Sequence, residues 1–292
     1  MASGRDLRRR IRSIGNTAQI TRAMQMVAAS KMRKAQQAAI EMRPFARLIY
    51  RLQRVSTFHA TNGTDFTHPL LETREVRRRA IILVGSDKGL CGALNSNLFR
   101  LAGRFDPHTT LFITAGRKAS QFVARTRREL LAEFPYGDTP RFAESRAIAA
   151  MARDLFMKGE VDAVQVVATR FVNTLVQQPV ALELLPIGDI TGVEIPGIPP
   201  PAVIAAADIP EFLFEPGVGD VVDFLLGHYL NIVVHLALLN AKASEQSARM
   251  VSMKGATDNA ADMIKDLTLV YNKLRQGRIT QELLEIAGGQ AG

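Results

Sequence analysis

The chain has 292 residues, 47% of them hydrophobic and 22% charged, with a net charge of +9. That length and apolar content exclude wholesale disorder and admit one large domain or two modest ones, each with a real core. Trp is absent and aromatics are few, which favours helix-on-helix packing; the single cysteine, Cys91, excludes an internal disulfide and fits a reducing compartment.

The charge is concentrated at the start. Residues 1–54 hold thirteen Arg or Lys against two acids, Asp6 and Glu41, a local charge of +11 that leaves −2 for the remainder. Such a segment calls for an acidic partner or a polyanion. "MASGRDLRRRIRS" lacks the hydrophobic region of a secretory signal, and its helical pattern runs on without a cleavage zone.

The first predicted element is a long helix over 1–58. Leu7, Ile11, Ile14, Ala18, Thr21, Gln25, Ala28, Met32, Ala35, Ala39 and Met42 recur at alternating steps of four and three, a heptad seam whose polar members are Thr21 and Gln25. Inside it, "ITRAMQMVAASKMRKAQ" (20–36) is apolar on nearly every face, basic, and free of acids. A helix of that kind must be covered by neighbours on several sides. Pro44 removes one backbone donor and is expected to bend the helix or shift its register.

The middle, 75–207, reads as an α/β domain. "RRAIILVGS" and "TTLFITAG" are short apolar runs, each leading into a helical stretch; "DAVQVVATRF" and "QQPVALELLP" are two more strands, with a helix around 144–157 before them. Strands alternating with helices imply a largely parallel sheet. The segment "PIGDITGVEIPGIPPPAV" reads as a linker or surface excursion.

The last element, within 208–292, is a second long helix without proline from Asp220 to Ile286. Its seam runs Leu225, Tyr229, Ile232, Leu236, Leu239, Ala243, Gln246, Met250, Met253, Thr257, Ala260, Ile264, Leu267, Tyr271 and Leu274, with only Gln246 and Thr257 polar. A 3.5-residue period kept this long implies a supercoil with a partner helix, and the helix would be roughly 100 Å long. Its most apolar stretch, 224–241, is interrupted by Gly227, His228, Asn231 and His235, which argues against a membrane span. The two terminal helices match in pattern and each needs a mate. They are therefore expected to pair antiparallel, with the α/β domain inserted between them.

Candidates for chemistry are weak. "LVGSDKGLCGALNSNLF" (83–99) is a strand, a glycine-bearing loop and a helix, but it matches neither G-x-G-x-x-G nor a P-loop. A tight strand-to-helix turn capped by Ser86 or Asp87 is the expected reading. Cys91 is placed just inside that helix, as a small packing residue. His228 and His235 share a helix face without carboxylates at metal-site spacing, and His59, His68 and His108 are scattered through expected loops. Asp258, Asp262, Asp266, Glu282 and Glu285 follow helical spacing as solvated faces or partner contacts. No catalytic, metal or cofactor residues are assigned, and the chain is not expected to be an enzyme. A basic coiled coil that binds nucleic acid would explain the charge, and a dinucleotide-dependent enzyme with a helical arm would explain the glycine loop. Neither explains a basic helix that is also apolar on so many sides.

"RRRIRSIGNTAQITRAMQMVAASKMRKAQ" (8–36), "GSDKGLCGALNSNLF" (85–99) and "ARMVSMKGATDNAADMIKDLTLVYNKLRQGRITQELLEIAGG" (248–289) resemble the gamma subunit of the F-type ATP synthase, in the right order. Gly255 and Gly277 depart from the pattern and are expected to loosen the last helix locally. The resemblance implies an α/β fold with a long antiparallel coiled coil, the terminal helices forming a shaft and a Rossmann-like domain at its base. It implies a rotor that couples ion flow through a membrane c-ring to ATP synthesis in a head of alpha and beta subunits, with the epsilon subunit at its foot. A peripheral position on the cytoplasmic side of a bacterial inner membrane follows from the same likeness. By motif position, Met24 resembles the residue facing an acidic loop of a beta subunit. Arg249, Gln276, Thr280 and Glu282 resemble positions that tie shaft to ring.

Overall fold

The protein is described from a computed structural model that covers residues 4–63, 68–187, 215 and 217–289. It divides into two compact units, residues 29–248 and residues 1–28 with 249–292. Two helices dominate the element order, α1 (Gly4–Gly63) and α5 (Val218–Gly289). Between them lie β1 (Arg79–Val84), α2 (Leu94–Ala102), β2 (Thr110–Ala115), α3 (Arg117–Arg125), β3 (Glu129–Phe134), α4 (Phe142–Met157), β4 (Ala163–Phe171) and β5 (Gln177–Leu185).

The larger unit is built on a five-stranded sheet of order β3-β2-β1-β4-β5. β1 pairs parallel with β2 and β4, β2 parallel with β3, and β5 closes the edge antiparallel to β4. "AIILV" and "TLFITA" have no polar alternation because both faces of these strands are buried, as a parallel sheet requires. Successive residues of β1 serve opposite cores. Ile81 and Leu83 join Leu98, Ala102, Ala119 and Val123 of α2 and α3, where Phe99 and Phe122 stack with centroids 4.5 Å apart. Ala80, Ile82 and Val84 join Ile148, Ala152 and Phe156 of α4, residues 222–241 of α5, and Ala46 and Ile49 of α1. Where α5 meets the start of α4, Ser145 Oγ lies 2.8 Å from His235 Nδ1, with the Phe142 ring edge-on to the imidazole. Burial holds the His235 pKa below its ordinary value, with Glu144 opposing.

The four strands read from the sequence are present, and so is the helix at 144–157, which begins two residues earlier at Phe142. The sequence reading missed β3. "ELLAEF" is an edge strand with Leu130 and Leu131 exposed, so it lacks the apolar signature of its neighbours. α1 extends to Gly63, so His59 is helical rather than in a loop, while its side chain lies outside the described residues. Pro44 lies inside α1, which continues on both sides of it, and α5 continues through Gly255 and Gly277. The proline-rich segment after Ile187 lies outside the described residues.

In the smaller unit, the first part of α1 and the last part of α5 pair antiparallel. Thr21 lies against Thr257, their hydroxyl oxygens 2.7 Å apart, and the Arg8 guanidinium donates to Tyr271 Oη. Every seam residue from Leu7 to Ala28 and from Met250 to Leu274 is buried or half-buried.

The strand ends of the sheet approach closely at one glycine. Gly116 has φ +92°, and a Cβ there would stand 2.3 Å from the Gly85 carbonyl oxygen, whereas Gly92, at φ +57°, has open space around it. Gly116→Ala should therefore cost at least about 3 kcal/mol of unfolding free energy, since strain and a backbone clash combine. Gly92→Ala should cost only the left-handed penalty, about 1–2 kcal/mol. Urea denaturation of the two variants checks the difference.

Candidate functional surfaces

Two surfaces stand out, one in each unit. The first is the carboxyl edge of the sheet, where an open α/β sheet places its ligand crevice at the point where strand order reverses. Here that point lies between β1 and β4, and α5 fills the edge. Ser244 Oγ donates to the Thr169 carbonyl at 3.2 Å and Ser247 Oγ to the Thr174 carbonyl at 2.8 Å. The Lys242 ammonium lies 3.1 Å from Glu245 and 3.8 Å from Asp87, and 4.6 Å from the centre of the Tyr136 ring. Tyr136 Oη donates to the Gly85 carbonyl at 2.8 Å. α1 is held to the same edge by Lys31, 2.5 Å from Asp138, and that hydrogen bond keeps the Asp138 carboxyl below its ordinary pKa.

The glycine-bearing loop is closed on itself. Ser86 N–H donates to Asn95 Oδ1, Asn95 Nδ2 donates to Ser86 Oγ at 2.7 Å, and Ser86 Oγ donates to the Lys88 carbonyl. Two expectations about it are corrected. Ala93 caps α2 with no side-chain hydrogen bond, and Asp87 instead accepts the Arg117 N–H at the start of α3, 3.1 Å away. Cys91 precedes α2, buried in the turn, because the helix begins only at Leu94. His228 and Phe224 rings meet in a T-shaped arrangement, and His68 accepts from Leu70 N–H and meets Asp223. Among the described residues no group of three or more His, Cys, Asp or Glu stands at metal-binding spacing.

The second surface belongs to the smaller unit. The seam is covered, while Ile20, Met26 and Val27 of α1 and Met263, Leu269, Ile279, Leu283 and Leu284 of α5 are exposed. A cleft of about 230 Å³ lies between the start of α1 and α5. Gly4, Arg5, Arg8, Tyr271, Leu274, Arg275 and Arg278 line it, four guanidinium groups and no carboxylate. The Arg8 guanidinium also lies over the Tyr271 ring, 5.4 Å from its centre. Four guanidinium groups give the cleft a positive field suited to anionic groups.

The residues singled out in the sequence fall on this unit without forming one cluster. Met24 is half-buried on α1, and Arg249 is 8% exposed on α5. Gln276 and Thr280 are both exposed one turn apart, with Thr280 Oγ1 donating to the Gln276 carbonyl at 3.0 Å. Along α5 they stand roughly 40 Å from Arg249. The side chain of Glu282 lies outside the described residues. The Lys242 cluster was missed altogether. Its one signal was Lys242 and Glu245, three apart in a stretch otherwise of small and apolar residues.

The model of the ATP synthase family matches residues 3–292. The chain is 48% identical to the ATP synthase gamma chain of Opitutus terrae, with 99% of this chain and 98% of that one covered. It is 41% identical to the gamma chain of Methylacidiphilum infernorum, with 99% of each covered. In fold it is similar to a chain of the Euglena gracilis mitochondrial ATP synthase, solved as OSCP, F1 and c-ring, with a TM-score of 0.67. That match has 18% identity and covers 99% of this chain and 93% of the other.

The two threonines are polar members of facing seams that meet each other, so their bond should fix register. In a double-mutant cycle of Thr21→Val and Thr257→Val, a coupling of about 0.5–1.5 kcal/mol is expected by urea denaturation. Burial, then the charges of Glu245 and Asp87, push the Tyr136 pKa well above the ordinary 10.0. Above pH 10 the unfolded phenol loses its proton while the native one keeps it, so stability should fall as pH rises past 10. Tyr136→Phe should remove that part of the alkaline slope, at a cost near neutrality of about 1 kcal/mol for the lost hydrogen bond. Denaturation curves at a series of pH values check it.

Proposed function

The chain belongs to the family of ATP synthase gamma chains, and from that premise we propose that it is the rotating central shaft of a bacterial ATP synthase. It is a non-catalytic subunit; in this reading it couples ion flow through a membrane c-ring to ATP synthesis in a head of alpha and beta subunits. The observation that carries the reading is the smaller unit. Its two helices seal one seam against each other and leave apolar side chains exposed on other faces, beside a cleft of four arginines.

An apolar surface that size on two paired helices needs a cover. A sleeve of alpha and beta subunits supplies one, and its apolar lining lets the shaft turn without stripping water from polar groups at each step. The arginine cleft meets acidic loops of the beta subunits. Met24, Arg249, Gln276, Thr280 and Glu282 are the proposed contact and coupling residues. A shaft without threefold symmetry touches three identical catalytic sites differently and biases each toward a different conformation. To carry a site from 1:99 to 99:1 between two states, the contacts must differ by about 5.5 kcal/mol. Rotation exchanges those contacts, and hydrolysis runs the cycle in reverse.

Functionally, the proposed division is a segment 1–58 that carries the first shaft helix, an α/β foot over 75–207 that meets the epsilon subunit and the ring, and a segment 208–292 that carries the second. The complex sits on the cytoplasmic face of the inner membrane, with this chain peripheral to the bilayer. α5 contains a window long and apolar enough to cross a membrane, but 67% of that window is buried inside the protein. The dinucleotide reading loses its crevice to α5, and the nucleic-acid reading explains the charge but not the exposed leucines.

Tagging the chain in its own cells and purifying from gently solubilised membranes should recover alpha and beta subunits with ATPase activity, together with ring subunits. A chain that purifies alone would overturn the proposal. Ile279→Asp and Leu283→Asp, at exposed positions, should leave thermal unfolding unchanged. Each should cut recovery of the head about tenfold, an affinity loss of about 1.4 kcal/mol.

A further inference from the structure

The crevice at the carboxyl edge of the sheet is filled by the ammonium of Lys242, which is 1% exposed. Its three anionic or π-rich neighbours come from three separate pieces of chain: Glu245 from α5, Asp87 from the turn after β1, and Tyr136 from the segment after β3. Stability alone does not call for a lysine there. Burying charges offsets most of what their attraction gains, and an apolar side chain of similar length often packs such a site as well or better. The hydrophobic contacts that α5 makes with the sheet are non-directional, so they resist separation more than they resist sliding or turning. An ammonium held among fixed partners is directional. Each residue step turns a helix by about 100°, so any other rotational setting of α5 takes Lys242 away from Asp87 and Tyr136 at once, while Glu245, on the same helix, moves with it.

Resting on the rotor reading, we propose that Lys242 is a positioning residue of the shaft: held in place by Glu245 of its own helix, it engages Asp87 and Tyr136 and thereby locks α5 in one rotational setting on the sheet, so that helix and α/β domain turn together. Ser244 and Ser247 hold the same stretch of α5 to the carbonyls of Thr169 and Thr174, which fixes its height along the edge. Asp87 links the lock to α3 through the Arg117 N–H.

The test uses the complete ATP synthase in inverted membrane vesicles, carrying the wild-type chain, Lys242→Met, Lys242→Arg or Asp87→Asn. ATP hydrolysis is measured beside ATP-driven ion uptake, by a pH-sensitive dye for protons and a tracer for sodium. Lys242→Met should lower ions moved per ATP hydrolysed about threefold while hydrolysis is maintained, and Lys242→Arg should largely restore the ratio. Asp87→Asn keeps an acceptor for the Arg117 N–H but removes the charge facing Lys242, and should lower the ratio about twofold. It decides the matter if Lys242→Met does not assemble. An unchanged ratio in assembled Lys242→Met or Asp87→Asn complexes overturns the proposal. So does a parallel fall of hydrolysis and uptake, which marks a merely structural role. If the wild-type vesicles themselves show no ATP-driven uptake, the rotor reading falls instead.

Discussion

Residues 232–247 of α5 are buried without interruption. A helix in water can sustain that only if every side of it has a neighbour. In the larger unit those neighbours are one face of the sheet, α4, and the loops at the carboxyl edge of the strands. The sheet can therefore be understood as a socket for a helix. Its central strands are apolar on both faces because α2 and α3 cover one and the α4–α5 layer covers the other. Its carboxyl edge, the usual place for a ligand in folds of this kind, receives Lys242, Ser244 and Ser247 instead.

The same fold logic applies to the loop after β1. This loop spends its donors internally, through Ser86 and Asn95, and its carboxylate on Arg117 and Lys242. The protein has the frame of an enzyme domain and uses it for anchorage. Among the described residues, its other unit shows a sealed seam with apolar flanks.

Much of this was legible in the sequence, for a physical reason. Periodicity records what is buried, and both heptad seams are buried or half-buried at every position read out in advance. The meeting of Thr21 with Thr257 pairs polar members already picked out in each seam. Where burial leaves no period, reading failed. β3 is an edge strand whose leucines are exposed, so "ELLAEF" carries no strand-like alternation. The Lys242 cluster joins residues 155 apart in the chain, Asp87 to Lys242, which no local pattern reports. Cys91 was placed a turn too far along because the glycines around it signal a turn but not its length.

The leucines near the end of α5 have a further consequence for the cell. Leu269, Leu283 and Leu284 of α5 are each more than half exposed. A newly made copy that has not met its partners carries the same surface that other unfolded or orphan chains present to chaperones and proteases. Supply of this chain must then be matched to supply of whatever covers it, since any surplus is either captured by quality control or lost to self-association. Under the proposed function, the apolar end of α5 thus sets a stoichiometry as well as an interface.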